Sequence, residues 1–357
     1  MKKPKLPKPS VPRVLKRRKG QEERADEAIE AVPRITNETV AEHREEVLSS
    51  ARKYIYPLQH SRRRIVSVSA SLLGVAIVVF LAYCLLSLYK FQATSGFMYD
   101  VTRVLPFPVA KAGPSWVSYE SYLFELRRNM HYYETQQRVN FNDPSGKRAL
   151  TRYKQQALQR VTDDAYVKQL AAKNHVSVNS QDVDQEIQLL KQQNRLGSSN
   201  KVFDTVLSEF WGWSENDFKR ELRSQMLAQK VASKLDVDAQ VKAKNALQQV
   251  QSGTDFAKVA GDMSEDVTTK GNGGQYGGLI DRSTRDIPPQ VTNELFKLQP
   301  GQTSGIIDTG ASLQIVKLID VQGNKVHAAH IQINLKDIHA YIDPLRTKQP
   351  THTYVKV

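Results

Sequence analysis

The chain has a single cysteine, Cys84, among its 357 residues. An intramolecular disulfide is therefore excluded, as are a cysteine-rich zinc site and an iron–sulfur cluster, so stability has to come from packing. Hydrophobic residues reach only 40%, too few for a polytopic membrane protein but enough for one span. The glycine-rich GNGGQYGG at 271–278 has no GK[ST] after it, which removes the phosphate-loop reading. Acidic side chains are scarce, 37 against 51 Lys/Arg for a net charge of +14, and the deficit is concentrated at the front, where Met1–Arg64 holds 17 basic and 9 acidic residues. The opening MKKPKLPKPSVPRVLKRRKG lacks large apolar side chains, cannot offset its chain entropy by burial and reads as disordered. The length leaves room for two or three domains, of about 100 to 200 residues each.

What is present next to that basic segment decides its reading. From Ile65 to Tyr89 run 25 residues without a charged side chain, preceded by Arg62, Arg63 and Arg64 and followed by Lys90. As a helix this stretch would reach roughly 37 Å, more than the ~30 Å of a bilayer's hydrocarbon. A basic leader of 64 residues is too long for a cleavable secretory signal, so the pattern is that of an uncleaved signal anchor. The arginine cluster predicts residues 1–64 on the cytoplasmic side and the remainder across the membrane, with anionic inner-leaflet lipid the simplest partner of the basic segment and nucleic acid a weaker one.

Residues 90–117, marked by Pro and Gly, read as a linker, and a helix-period region follows at 118–235. Tyr119, Tyr122, Leu123, Leu126, Met130 and Tyr133 form one apolar stripe, and Leu150, Tyr153, Ala157, Leu158, Val161 and Ala165 form another that runs to about Lys173. Ser214 with Asp217, and Asn179 with Asp182, each place a capping residue three positions ahead of an acid and so predict two helix starts. The expectation is an all-α bundle.

The segments AYVKQLAAKNHVSVNSQDVDQEI and FDTVLSEFWGWSENDFKRELRSQMLAQKVASKL resemble the N-terminal helical domain of SurA- and PrsA-type extracytoplasmic chaperones. The next region, 236–336, resembles a parvulin-type peptidyl-prolyl isomerase: Gly253-Thr254-Asp255-Phe256, Met263-Ser264-Glu265-Asp266, Gly273-Gly274, Pro289, Phe296 and Pro300-Gly301 carry the likeness. That family opens with a strand bearing an Ala-x-His-Ile pattern, whereas here Asp236–Lys244 is polar and helix-like and AAHIQINL appears at Ala328–Leu335 instead. A circular permutation is implied, with the displaced strand joined to its neighbour by a turn at Gln322-Gly323-Asn324. A two-residue turn sets Lys317 opposite His330 and sends Gln314 to the other face; a three-residue loop sets Leu318 there and keeps Gln314 with His330. The expected fold is thus α+β: one transmembrane helix, an all-α SurA-N-like domain, a parvulin-like domain with a small antiparallel sheet, and a tail, 337–357, with no role read.

By this resemblance His330, Asp266, Thr309 and Gln314 take the catalytic positions, and Tyr276, Ile287, Val291 and Phe296 line the proline pocket. The reaction implied is rotation about X–Pro bonds in unfolded exported polypeptides, across a barrier of about 18–20 kcal/mol, with no cofactor and no metal. Gln314 stands where the family has a second histidine, and Val291 where it has a pocket phenylalanine. These departures keep open a catalytically inactive holdase or an envelope docking scaffold.

Overall fold

The computed structural model describes residues 36–55, 58–197 and 199–357, so the segment 1–35, read as part of the disordered basic leader, lies outside the described residues. Contacts divide the chain into two compact units, Met1–Leu81 and Ala82–Val357. The first contains α1 (Asn37–Ile55), a helix inside the segment 1–64 expected to be disordered, and most of α2 (Leu58–Leu85). Among the described residues, Arg64–Lys90 is the one helical stretch long and apolar enough to cross a membrane, and side chains such as Leu72, Val75 and Val79 stand fully on its surface.

The apolar run does not end free. Within the second unit Cys84 and Leu88 are completely buried, the Leu88 carbonyl accepts from the Tyr119 hydroxyl at 2.6 Å, and Tyr89 donates to the Pro108 carbonyl at 2.6 Å. The expected linker is likewise part of the body. It folds as α3 (Gly96–Val104), β1 (Pro108–Ala112) and β2 (Ser115–Ser118), and Met98, Val109, Ala110, Ala112 and Val117 enter the core. Its Pro and Gly residues punctuate short strands: Gly113, at φ +54°, turns β1 back onto β2 with Ala112 opposite Ser115.

Two apolar stripes then build the helical core. α4 (Tyr119–Thr135) buries Tyr119, Tyr122, Leu123 and Leu126, while α5 (Pro144–Lys173) buries Tyr153, Ala157, Val161 and Ala165 at helical spacing. Asp143 caps α5 by accepting from the Gly146 amide at 2.6 Å, with Pro144 preset for the first turn. α6 (Ser180–Gln192) and α8 (Glu215–Leu235) both start in complete capping boxes, Asn179 with Asp182 and Ser214 with Asp217. Between them lie α7 (Asn200–Val206) and a π-helical turn, Leu207–Trp211.

To this domain the structure adds a sheet. The final residues return to it: β6 (Thr351–Thr353) pairs with β1, giving the order β2-β1-β6, and α12 (His339–Lys348) packs on α5. Tyr166, completely buried, donates to the Gln349 carbonyl at 2.6 Å, and Ile342 and Val355 join the same core. The tail is thus a structural part of the helical domain. Ile342→Ala is expected to destabilise that domain by about 2–5 kcal/mol, read as a lower denaturant midpoint by circular dichroism, because a fully buried branched side chain leaves a cavity behind.

The second sheet has the order β3-β4-β5, from β3 (Ile307–Asp308), β4 (Ser312–Gln322) and β5 (Lys325–Asn334). On one face α9 (Val237–Gln251) and α10 (Phe256–Met263) cover Leu313, Ile315, Ala329, Ile331 and Ile333. On the other, α11 (Pro289–Leu295) and Ile280 cover Val316, Leu318, Val326 and Ala328. Burial on both faces makes β5 a nearly continuous apolar strand in which His330 is an exception.

Both expected registers are replaced by a third. Gly323, at φ +64°, and Asn324 make a two-residue turn that pairs Gln322 with Lys325, but a bulge between Leu318 and Asp320 shifts the ladder, so Val316 faces His330. The extra residue does what a longer loop was expected to do: Gln314, opposite Gln332, shares the face of His330.

Candidate active site

His330 is placed by hydrogen bonds on both edges of β5. One edge is the ladder to β4, and the other is a composite of loop backbone. Val326 exchanges bonds with Ile280, Tyr276 donates to the Ala328 carbonyl at 3.0 Å, His330 donates to the Gly274 carbonyl at 2.8 Å, and Glu265 donates to the Gln332 carbonyl at 2.7 Å. Asp266 follows directly on this last contact, so the strand that carries the histidine also fixes the carboxylate. Gly274 has no alternative here: it sits at φ +80°, and a Cβ would lie 2.1 Å from the His330 carbonyl oxygen.

The imidazole meets two partners at one nitrogen. His330 Nε2 lies 2.9 Å from Asp266 Oδ2 and 2.8 Å from the Thr269 hydroxyl, which itself donates to Asp266 Oδ2 at 2.7 Å. Asp266 also accepts from the Thr268 amide at 3.0 Å. Burial alone would raise this carboxyl's pKa, but the bonds from Thr269, Thr268 and His330 outweigh it and hold it at about 2. For His330 burial dominates over the neighbouring carboxylate and moves the pKa down, so the ring is neutral near pH 7. The Tyr276 ring lies 4.4 Å from the imidazole, and the Tyr276 hydroxyl and His330 Nδ1 are both buried without a hydrogen-bond partner.

Thr309 and Gln314 belong to a second polar cluster. Gln314 Nε2 donates to Ser312 Oγ at 3.1 Å and to Gln332 Oε1 at 2.9 Å, while the Thr309 hydroxyl bonds the carbonyl of Ser312. Gln314 is therefore one residue pair along from His330 on the same face, and no bond joins it to the Asp266–His330 pair. Among the proline-pocket candidates, Ile287 and Val291 share one apolar cluster with Val316, with Tyr276 and Phe296 packed against it and the Arg282 guanidinium 4.4 Å over the Phe296 ring.

The expected pocket is not open. Ile287 is 5% and Val291 0% exposed, so both are core side chains in this conformation. The segment that carries them is held from the helical domain: buried Gln193 donates to the Ile287 carbonyl and to the Thr292 hydroxyl, each at 3.1 Å, Arg195 donates to the Arg285 carbonyl, and Gln290 donates to Glu186 at 3.0 Å. Thr269, Gln193 and Ser312 were not among the candidates read from the sequence. Only Thr269 had a local signal, its place three residues after Asp266 in a turn.

Two families match the chain: the SurA-like N-terminal domain over residues 58–232 and the PPIC-type PPIase domain over 226–320. The second match stops short of β5. The chaperone SurA of Ralstonia nicotianae is 29% identical over 210 residues, 50% of this chain and 42% of that one. The periplasmic chaperone PpiD of Escherichia coli K12 is 38% identical over 84 residues, 24% of this chain and 13% of that one. The chain thus spans less than half the length of these curated relatives. Among solved structures, foldase protein PrsA from Streptococcus pneumoniae aligns over 68% of this chain and 83% of that one at 19% identity, with a TM-score of 0.19. Fold and site together define a helical chaperone-type domain joined to a rotamase-type domain. The chain carries a SurA-like N-terminal domain followed by a PPIC-type peptidyl-prolyl isomerase domain, and it is homologous to the SurA and PpiD chaperones.

Two outcomes test the placement of the site. Gly274→Ala is expected to cost about 2 kcal/mol or more by denaturant unfolding, because a Cβ there must push β5 away, whereas Gly278→Ala, with open space around it, leaves the midpoint unchanged. The second outcome follows from the lowered His330 pKa, whose stabilisation is complete above the ordinary histidine value of about 6.5 and is lost as pH falls through the lowered one. Melting temperature should therefore decline on acidification below pH 6.5 in the wild type, and less steeply in His330→Gln. Asp266 adds its own loss only between about pH 4 and its folded value near 2.

Proposed function

We propose that the chain is a membrane-anchored extracytoplasmic foldase that binds unfolded exported polypeptides and catalyses cis/trans isomerisation of X–Pro bonds. The single observation that carries this reading is the part-buried Asp266–His330 contact, at 2.9 Å, beside an apolar cluster containing Ile287 and Val291. Rotation about a prolyl bond breaks no covalent bond; it needs a site that favours the twisted amide over the planar one. A fixed carboxylate and a neutral imidazole next to an apolar seat for the pyrrolidine ring supply the polar and apolar halves of such a site. The proposed roles are these: Asp266 and His330 face the reacting amide, Thr309 and Gln314 extend the polar side, and Tyr276, Ile287, Val291 and Phe296 seat the proline once the segment 285–292 moves.

The arrangement along the chain supports anchoring. Residues 1–64 take the cytoplasmic side, the apolar stretch from 65 to about 83 crosses the bilayer while its end, from Cys84, packs into the second unit, and residues from 118 to 235 hold clients by apolar contact while 236–336 carry the isomerase. Anionic inner-leaflet lipid is the partner of the basic leader. A second reading, a holdase without catalysis, is favoured by the closed state of Val291 and by the amide of Gln314 in place of an imidazole.

A protease-coupled isomerisation assay on the full chain in detergent separates the two. The wild type is expected to accelerate isomerisation, with His330→Ala and Asp266→Asn each reduced by about tenfold or more. Equal rates in all three proteins, together with undiminished suppression of client aggregation, would leave the holdase.

A further inference from the structure

Thr269 lies outside every residue set assigned above, yet it is buried and closes the triangle between Asp266 and His330. The proton count at this triangle has one solution. An ionised carboxylate can only accept, so the single hydroxyl proton of Thr269 goes to Asp266 Oδ2. The hydroxyl oxygen then presents a lone pair to His330 Nε2, and that nitrogen has to carry a proton for the 2.8 Å contact to be a bond. His330 Nδ1 is left as a bare acceptor, buried and unpartnered. The backbone of Thr269 adds rigidity, since its carbonyl accepts from the amides of Asn272 and Gly274 at 2.9 Å each, and Gly274 is the residue that pairs with His330.

We propose that Thr269 is a positioning residue of the isomerase site, which fixes the imidazole of His330 in the Nε2–H form against Asp266. This rests on the isomerase reading for its catalytic consequence but not for its structural one. Besides Thr269, the groups that face the pair are Tyr276, whose ring lies 4.4 Å from the imidazole, and Thr268, whose amide donates to Asp266 Oδ1 at 3.0 Å. Neither bridges Asp266 Oδ2 and His330 Nε2, as the Thr269 hydroxyl does. Removing the hydroxyl takes a charge-assisted bond from the carboxylate and one of two acceptors from the imidazole.

The test compares Thr269→Val and Thr269→Ser in the full chain in detergent. Thr269→Val is expected to lower kcat/KM by about tenfold, mostly in kcat, and to move the acid limb of the pH profile upward; Thr269→Ser, which keeps the hydroxyl, stays within about twofold of wild type. A wild-type rate and pH profile in Thr269→Val overturns the proposal. Should the wild type itself show no isomerase activity, the functional reading fails while Thr269 is still decided by 15N-histidine spectra, with His330 assigned by its loss in His330→Gln. A single Nε2–H form in the wild type that becomes a tautomer mixture in Thr269→Val supports the positioning role, and an unchanged form contradicts it. If Thr269→Val does not fold by circular dichroism, Thr269→Ala is read in the same two ways.

Discussion

The structure of the isomerase-type domain depends on β5 being paired along both edges. A strand near the chain terminus has one covalent neighbour, β4, across a two-residue turn, and a second edge that is composite: Ile280, Tyr276, Gly274 and Glu265 each contribute a backbone bond. Those contacts bring His330 to Asp266 and hold the glycine loop in the conformation that only glycine allows. Buried backbone groups left without partners are expensive, so the strand and the loops around it stand or fall as one unit.

A second consequence is coupling between the two halves of the chain. The segment that carries Ile287 and Val291 is gripped by Gln193 and Arg195, and the tail beyond β5 returns to complete the sheet β2-β1-β6 of the helical domain. The chain passes from the helical domain through the isomerase-type domain and back again. Neither half is therefore a bead on a string. The Gln193 contacts tie the segment that carries Ile287 and Val291 to the helical domain.

Much of this was legible from residue patterns. Apolar periodicity in Tyr119–Tyr133 and Leu150–Ala165 marks the two main helices, the capping pairs at Asn179 and Ser214 mark two helix starts, and Ala-x-His-Ile after the last expected strand marks β5. What escaped did so for physical reasons. A bulge at Ile319 leaves no trace in a period-two pattern that is apolar on both faces, so neither expected register is the observed one. β6 is three residues paired with a strand some 240 positions earlier, and the Pro and Gly that suggested a linker at 90–117 are turn residues between buried strands. The Gln193 grip and the Thr269–His330 contact join polar side chains whose partners lie about 94 and 61 residues away, which no local pattern announces; only the Asp266–Thr269 side of the triangle is local.

The pairing of β5 is tested most directly by hydrogen exchange of its backbone amides in the full chain. The account predicts that the amides of Val326 and His330, which donate to Ile280 and Gly274, exchange as slowly as those of β4 and lose protection together with them as denaturant is added. Fast exchange at Val326 and His330 while β4 stays protected would contradict it, because the strand would then be detached from the loops that bring Asp266 to the imidazole.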